Sequence, residues 1–207
     1  MLTEKIIDFK FKGNRSYVHG TDIYDSMLLT AREYFGEYPT QMICSFHSLL
    51  RNQGICRIYE GKMPLGDDQV YAFSNIFIKT QPFQESIIDS DRPILSSYEY
   101  DEEEVTESIE VVKETARMLV KSTYTYIEQI VALTKKLHIT LYPDAPGKWL
   151  LSKIKIEKMI DPAIYPGHTI IIDAEKKFHY RLTQCAISLD DKPIGNIWFS
   201  LLPSKEK

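Results

Sequence analysis

Polar and apolar positions alternate at the start of the chain. Ile7, Phe9 and Phe11 are separated by polar residues, a period of two that predicts a half-buried strand over 6–12. From Asp22 the period becomes helical. Ile23, Met27, Ala31 and Tyr34 share one face, with Tyr24, Leu28 and Phe35 beside it. Thr21 or Asp22 is placed to cap this helix, Asp25 lies in its first turn, and Gly36 and Pro39 stop it. Strand-like runs follow at 41–50 and 55–60, around a turn Arg51-Asn52-Gln53-Gly54. A loop with Gly61, Pro64, Gly66, Asp67 and Asp68 leads to strands at 69–79 and 93–100. Residues 104–138 carry Val105, Ile109, Val112, Ala116, Leu119, Ile127, Ile130, Leu133 and Leu137 at helical spacing with no Gly or Pro, predicting one long helix. Strands at 149–160, 169–177, 178–189 and 194–202 complete the chain. A loop over 161–168 interrupts them, and a turn at Asp190-Asp191-Lys192-Pro193 joins the last two. Each half therefore shows strand, helix, then several strands, a repeat of pattern without sequence identity.

Composition narrows the class. The chain has 207 residues, the size of one to two domains, with 43% hydrophobic and 26% charged residues, ordinary globular values. Its 25 basic and 29 acidic residues leave a net charge of −4. Nucleic-acid-binding domains are usually strongly basic, so no nucleic-acid partner is expected. The charge is also uneven. Residues 99–110 hold seven acids (Glu99, Asp101, Glu102, Glu103, Glu104, Glu107 and Glu110) and no Lys or Arg, leaving 25 basic against 22 acidic residues elsewhere. Such a block marks a solvated linker or a helix start, and here it lies at the midpoint. Two units are predicted, 1–98 and 99–207, forming one body. No apolar run is long enough to span a bilayer, and Met1-Leu2-Thr3-Glu4-Lys5 has no leader pattern. Cys44, Cys56 and Cys185, odd in number and without Cys-x-x-Cys spacing, read as reduced thiols. A soluble, cytoplasmic protein of mixed α and β structure is expected.

The order of elements in the second half resembles the hot-dog superfamily, the fold of 3-hydroxyacyl-carrier-protein dehydratases and many acyl-CoA thioesterases. A strand at Leu150–Met159 leads to a loop ending Pro166-Gly167-His168, where those families often have Pro-Gly-Asp. Strands at Thr169–Ala174, Phe178–Leu189 and Ile194–Leu201 follow. The resemblance covers the last quarter of the chain, and with the helix at 104–138 the whole second half. The first half fits a second unit of the same kind. It implies an α+β double hot-dog with two central helices, each wrapped by an antiparallel sheet, and an acyl-CoA or acyl-carrier-protein thioester as partner. Fatty-acid or polyketide metabolism would be its setting, as a monomer or homo-oligomer without a cofactor.

In the dehydratases of this superfamily a His precedes the central helix and works with a Glu or Asp from the neighbouring unit's helix. His19-Gly20 sits at a comparable place, although Gly follows the His directly rather than four residues later and no Pro comes after it. His19 is then the base, since imidazole titrates near neutral pH. The Gly20–Asp22 amides would meet an oxyanion. Glu128, which interrupts an apolar stretch, is the leading partner acid, and Asp22 or Asp25 could instead serve a water. Arg15, Arg51 and Arg57 could meet the phosphates of the carrier. The residues leave plainer roles open: a hydrogen-bonding loop histidine, a helix cap and first-turn acid, a solvated helix edge. A non-catalytic acyl-chain or partner-binding module is the alternative function. His138, ending a helix, would suit the dipole as a cation. No pair of His has metal-ligand spacing, and neither a phosphate-binding Gly loop nor a Gly-x-Ser-x-Gly elbow occurs.

Overall fold

The N-terminal alternation folds as two short strands, β1 (Thr3–Ile7) and β2 (Phe11–Lys12), rather than one. The break between them inverts the parity. Phe9 is buried as its period requires, but in β2 it is Lys12 that is fully buried while Phe11 is half-buried. The computed structural model describes residues 1–64, 68–121, 123–159, 161, 166–178 and 181–203. Gly66, Asp67, Pro162–Tyr165 of the 161–168 loop, and His179 lie outside them. The chain divides into two compact units, Met1–Asp101 and Glu102–Lys207, and the division falls inside the acidic block.

In the first unit β2 is followed by helix α1 (Gly20–Phe35), which buries Ile23, Tyr24, Met27, Leu28 and Ala31 and ends at Gly36 in the left-handed region, φ 75°. Its N-cap is His19 in extended conformation, with no side-chain cap. This corrects the expected cap at Thr21 or Asp22, whose side chains are engaged in a polar network described below. Strands β3 (Gln41–Phe46), β4 (Asn52–Glu60), β5 (Val70–Ile78), β6 (Gln81–Pro93) and β7 (Ser97–Tyr98) follow. The main sheet is antiparallel with order β1-β4-β6-β5-β3, and α1 packs on β1, β4 and β6. The turn expected at 51–54 is instead the start of β4. Gly54 is required there by packing, because a Cβ would lie 2.7 Å from the Phe9 ring. The 13-residue β6 carries no period-two signal, because Glu85 and Ser86 are polar and fully buried within it.

The second unit corrects the long helix at 104–138. That stretch forms a five-residue helix α2 (Glu102–Thr106), strands β8 (Glu110–Val112) and β9 (Thr115–Leu119), and helix α3 (Tyr126–Leu141). In β9 Ala116 and Met118 are buried between outward Thr115, Arg117 and Leu119, so a period of two competes with the helical one and wins. Strands β10 (Gly147–Ile156), β11 (Thr169–Phe178), β12 (Leu182–Leu189) and β13 (Lys192–Pro203) complete an antiparallel sheet of order β10-β13-β12-β11-β9-β8. Asp190 and Asp191, both at positive φ, make the tight β12–β13 turn. Helix α3 packs on β9, β10 and β11. Three helices are therefore present among the described residues, two of them 16 residues long.

Candidate functional site

The start of α1 is enclosed by the two-stranded parallel pair of β2 and β7, which sets Phe11 beside Ser97 and Lys12 beside Tyr98. Gly13, at φ 58°, turns the chain out of β2 and donates its N–H to the Tyr98 carbonyl at 2.8 Å. The loop that follows is pinned by buried Val18, whose N–H reaches the Leu50 carbonyl at 2.8 Å. These constraints bring five polar side chains together. Lys12 Nζ donates to Thr21 Oγ1 at 2.9 Å and pairs with Asp22 Oδ1 at 3.0 Å. His19 Nδ1 lies 2.8 Å from the same Thr21 oxygen, which in turn reaches Asp22 Oδ1 at 3.2 Å. The Tyr98 hydroxyl donates to the Asp22 carboxylate at 3.2 Å. Lys12 Nζ also sits over the Tyr100 ring, 4.4 Å from its centre.

Of the residues singled out by sequence, His19, Gly20 and Asp22 meet at this point, and Asp25 follows in the same helix, half-buried. The Asp22 N–H is taken by the His19 carbonyl at 3.0 Å. The helix-start amides without an intrahelical acceptor are therefore those of Gly20 and Thr21, not the whole Gly20–Asp22 run. Arg15 flanks the site, with Nη1 on the Lys12 carbonyl at 3.1 Å and its guanidinium over Tyr100. Arg51 is exposed and holds the Ser16 carbonyl and hydroxyl, each at 3.1 Å. Arg57 is tied to Glu4 and Asp68, both at 2.6 Å, so two carboxylates already meet its charge. Glu128 belongs to the other unit. It closes a capping box with Thr125: its Oε2 accepts the Thr125 N–H at 2.9 Å, and its own N–H donates to Thr125 Oγ1 at 3.3 Å.

Lys12, Thr21 and Tyr98 are the members of the cluster that sequence reasoning missed as site residues. Thr21 was visible only as a cap, and Lys12 reads from its neighbours as an outward position. A second polar centre lies at the end of α3. His138 is buried, with Nδ1 2.6 Å from the Thr134 carbonyl and Nε2 2.5 Å from Thr183 Oγ1. The carbonyl can only accept, so Nδ1 carries the proton, and burial lowers the imidazole below its ordinary value. This corrects the expected cation at the helix end. Cys44, Cys56 and Cys185 are free and buried, and burial raises each thiol, Cys185 to about 12. Among the described residues no three His, Cys, Asp or Glu side chains converge as a metal site requires. No helix among them is long and apolar enough to cross a membrane.

No protein-family model and no curated protein matches the sequence. Solved structures do match. The chain has the hot-dog fold, shared with structures aligned over nearly its whole length. Among them is the 12:0-ACP thioesterase from Umbellularia californica, with 6% identity over 98% of this chain and 97% of that one, at a TM-score of 0.52. A monomeric dehydratase domain from a trans AT polyketide synthase split module has 8% identity over 97% and 100%, also at 0.52. The tesB protein of Mycobacterium avium subs paratuberculosis has 10% identity over 94% and 91%, again at 0.52.

Proposed function

We propose that the chain is a double hot-dog enzyme that hydrolyses acyl thioesters of coenzyme A or acyl carrier protein at the start of α1. The observation that carries this reading is the placement of His19, which heads the helix with Nδ1 held by Thr21 at 2.8 Å. His19 takes a proton from water, and the oxygen adds to the thioester carbonyl. The oxyanion meets the Gly20 and Thr21 amides at the positive end of the helix. Collapse breaks the C–S bond, and the thiolate leaves with the proton held by His19. Arg15 and Arg51, held on the Lys12 and Ser16 carbonyls, are the basic groups that would meet a carrier phosphate. Hydrolysis is favoured over dehydration because dehydration asks for a second acid from the other unit, and Glu128 there serves as a helix cap.

The test is a panel of acyl-CoA and acyl-carrier-protein thioesters of graded chain length, with 3-hydroxyacyl and crotonyl-type members. Thiol release is measured for wild type and for His19→Ala. Loss of about 10²- to 10⁴-fold in kcat/KM is expected for the variant, the range of a general base. Equal rates would remove His19 from the mechanism. Water loss from 3-hydroxyacyl thioesters without thiol release would move the assignment to dehydration. Binding without turnover would mark an acyl-thioester binding module.

A further inference from the structure

Glu85 stands in mid-strand on β6 with its side chain fully buried. Ser74 donates to its Oε2 at 2.6 Å, while Oε1 is buried with no hydrogen-bond partner. A carboxyl group so placed holds its proton, because an ionised one would need donors or water at both oxygens. Water cannot enter through the sheet without breaking its ladders. β6 is paired with β4 on one side and β5 on the other, and Glu85 lies between Ile58 and Ser74. The neighbouring strands show which element covers this face. Cys44 on β3 is the cross-strand partner of Ser74, and its thiol meets the Met27 sulfur of α1 at 3.9 Å. Cys56, two residues before Ile58 and so on the same face, meets the Thr30 hydroxyl of α1. Within the first unit, α1 therefore lies over Glu85, and these contacts with the sheet are weak ones made by sulfur. The ion pair that ties α1 to β1, Glu33 with Lys5 at 2.5 Å, is exposed at the rim.

We propose that Glu85 and the inner face of α1 form a proton-operated latch: the protonated carboxyl lets α1 close on the sheet, and loss of the proton to solvent lifts α1 while β4, β5 and β6 stay paired. The carboxylate gains its missing donors from the water that enters. The titratable groups on the elements around it are the Cys44 and Cys56 thiols of β3 and β4, buried Tyr24 on α1, and Lys5 on β1. From β5 Glu85 meets the Ser74 hydroxyl. Burial raises both thiols, so neither gives up its proton near neutral pH. His19 and Asp22 stand at the start of α1, so the open latch takes the candidate site apart. That consequence rests on the reading of His19 as the base; the latch itself does not.

Cys44 and Cys56 report the opening, and buried Cys185 in the second unit is the control. Labelling of the full chain by an aromatic disulfide is followed from about pH 6.5 to 8, each rate divided by that of the urea-unfolded chain at the same pH. The open state ionises Glu85 above about 4.5 and the closed state keeps its proton to about 8. The ratio at Cys44 and Cys56 should therefore climb by up to about tenfold per pH unit, with Cys185 flat. Glu85→Gln should be flat at all three. Hydrogen exchange read by mass spectrometry should show α1 losing protection over the same range while β4, β5 and β6 keep theirs. A flat ratio in wild type, the same climb in Glu85→Gln, or loss of protection by the three strands together with α1 overturns the latch. Should Glu85→Gln fail to fold, Glu85→Met, apolar and of similar length, takes its place. Labelling needs no turnover, so a chain that hydrolyses no thioester overturns the proposed activity and leaves the latch to be decided by these rates.

Discussion

Asp22 ties three elements of the first unit together: it caps no helix, yet it receives Lys12 from β2 and Tyr98 from β7 while standing in α1. Its side chain is 18% exposed and its ammonium partner 0%. Removing one member of such a pair leaves the other charge buried, a loss on the order of 3 kcal/mol. Asp22→Asn should therefore lower the urea midpoint clearly. The double variant Lys12→Met/Asp22→Asn should lose less than the sum of the two single losses, because each single variant already breaks the pair. Additive losses in the double variant would show that the two do not act as a pair. The sequence made half of this cluster visible. His19, Gly20 and Asp22 stand out because His-Gly-Thr-Asp meets the onset of a helical period. Lys12 and Tyr98 do not, since they are brought in by a parallel pairing between segments 86 positions apart in the chain, counted from Lys12 to Tyr98.

Elements whose faces differ cleanly in polarity were legible: α1, α3 and the last three strands. The errors fall where a local rule was overridden. β6 shows no readable alternation because its buried face holds Glu85 beside Ser74 on β5, a carboxyl group in mid-strand. The segment that holds α2, β8 and β9 reads as helix because Val105, Ile109, Val112 and Ala116 also satisfy a helical spacing. Both units contain a strand, a long helix and four strands in that order along the chain, but the order of those strands in the sheet differs. Leaving aside β8, the first runs β1-β4-β6-β5-β3 and the second β9-β11-β12-β13-β10, so the last hairpin is reversed between its neighbours. No local pattern encodes which strand of a hairpin faces which neighbour. At this scale the capping box of α3 gives a separable test of Glu128. Thr125→Ala should cost about 1 kcal/mol in chemical denaturation. Glu128→Gln should cost less, since Gln also closes the box, and should leave thiol release near wild type. A large fall in turnover with little loss of stability would return Glu128 to the chemistry.

For the whole molecule, the formal charge of −4 counts Glu85 as ionised, yet burial raises this carboxyl to about 8 against the opposing hydrogen bond from Ser74. With that proton retained the folded chain carries about −3 at neutral pH. The stability consequence has a definite sign. An unfolded Glu85 releases its proton above about pH 4.5 while the folded one keeps it, so its stability is full below that pH and is lost as pH rises toward about 8. His138 acts oppositely. Its value is lowered in the fold, so stability is full above about 6.5 and is lost as pH falls below it. Below 6.5 the two slopes oppose, and between about 6.5 and 8 Glu85 acts alone. At about 1.4 kcal/mol per pH unit, that interval spans up to about 2 kcal/mol. Urea midpoints followed from pH 5.5 to 8.5 should thus fall through the upper half of the range in wild type. Glu85→Gln, which keeps the shape and an acceptor for the Ser74 hydroxyl but cannot ionise, should flatten that limb and steepen the acid side, where His138 is then unopposed. An upper limb as steep in Glu85→Gln as in wild type would show that the buried carboxyl of β6 is not the group that makes this fold alkali-sensitive.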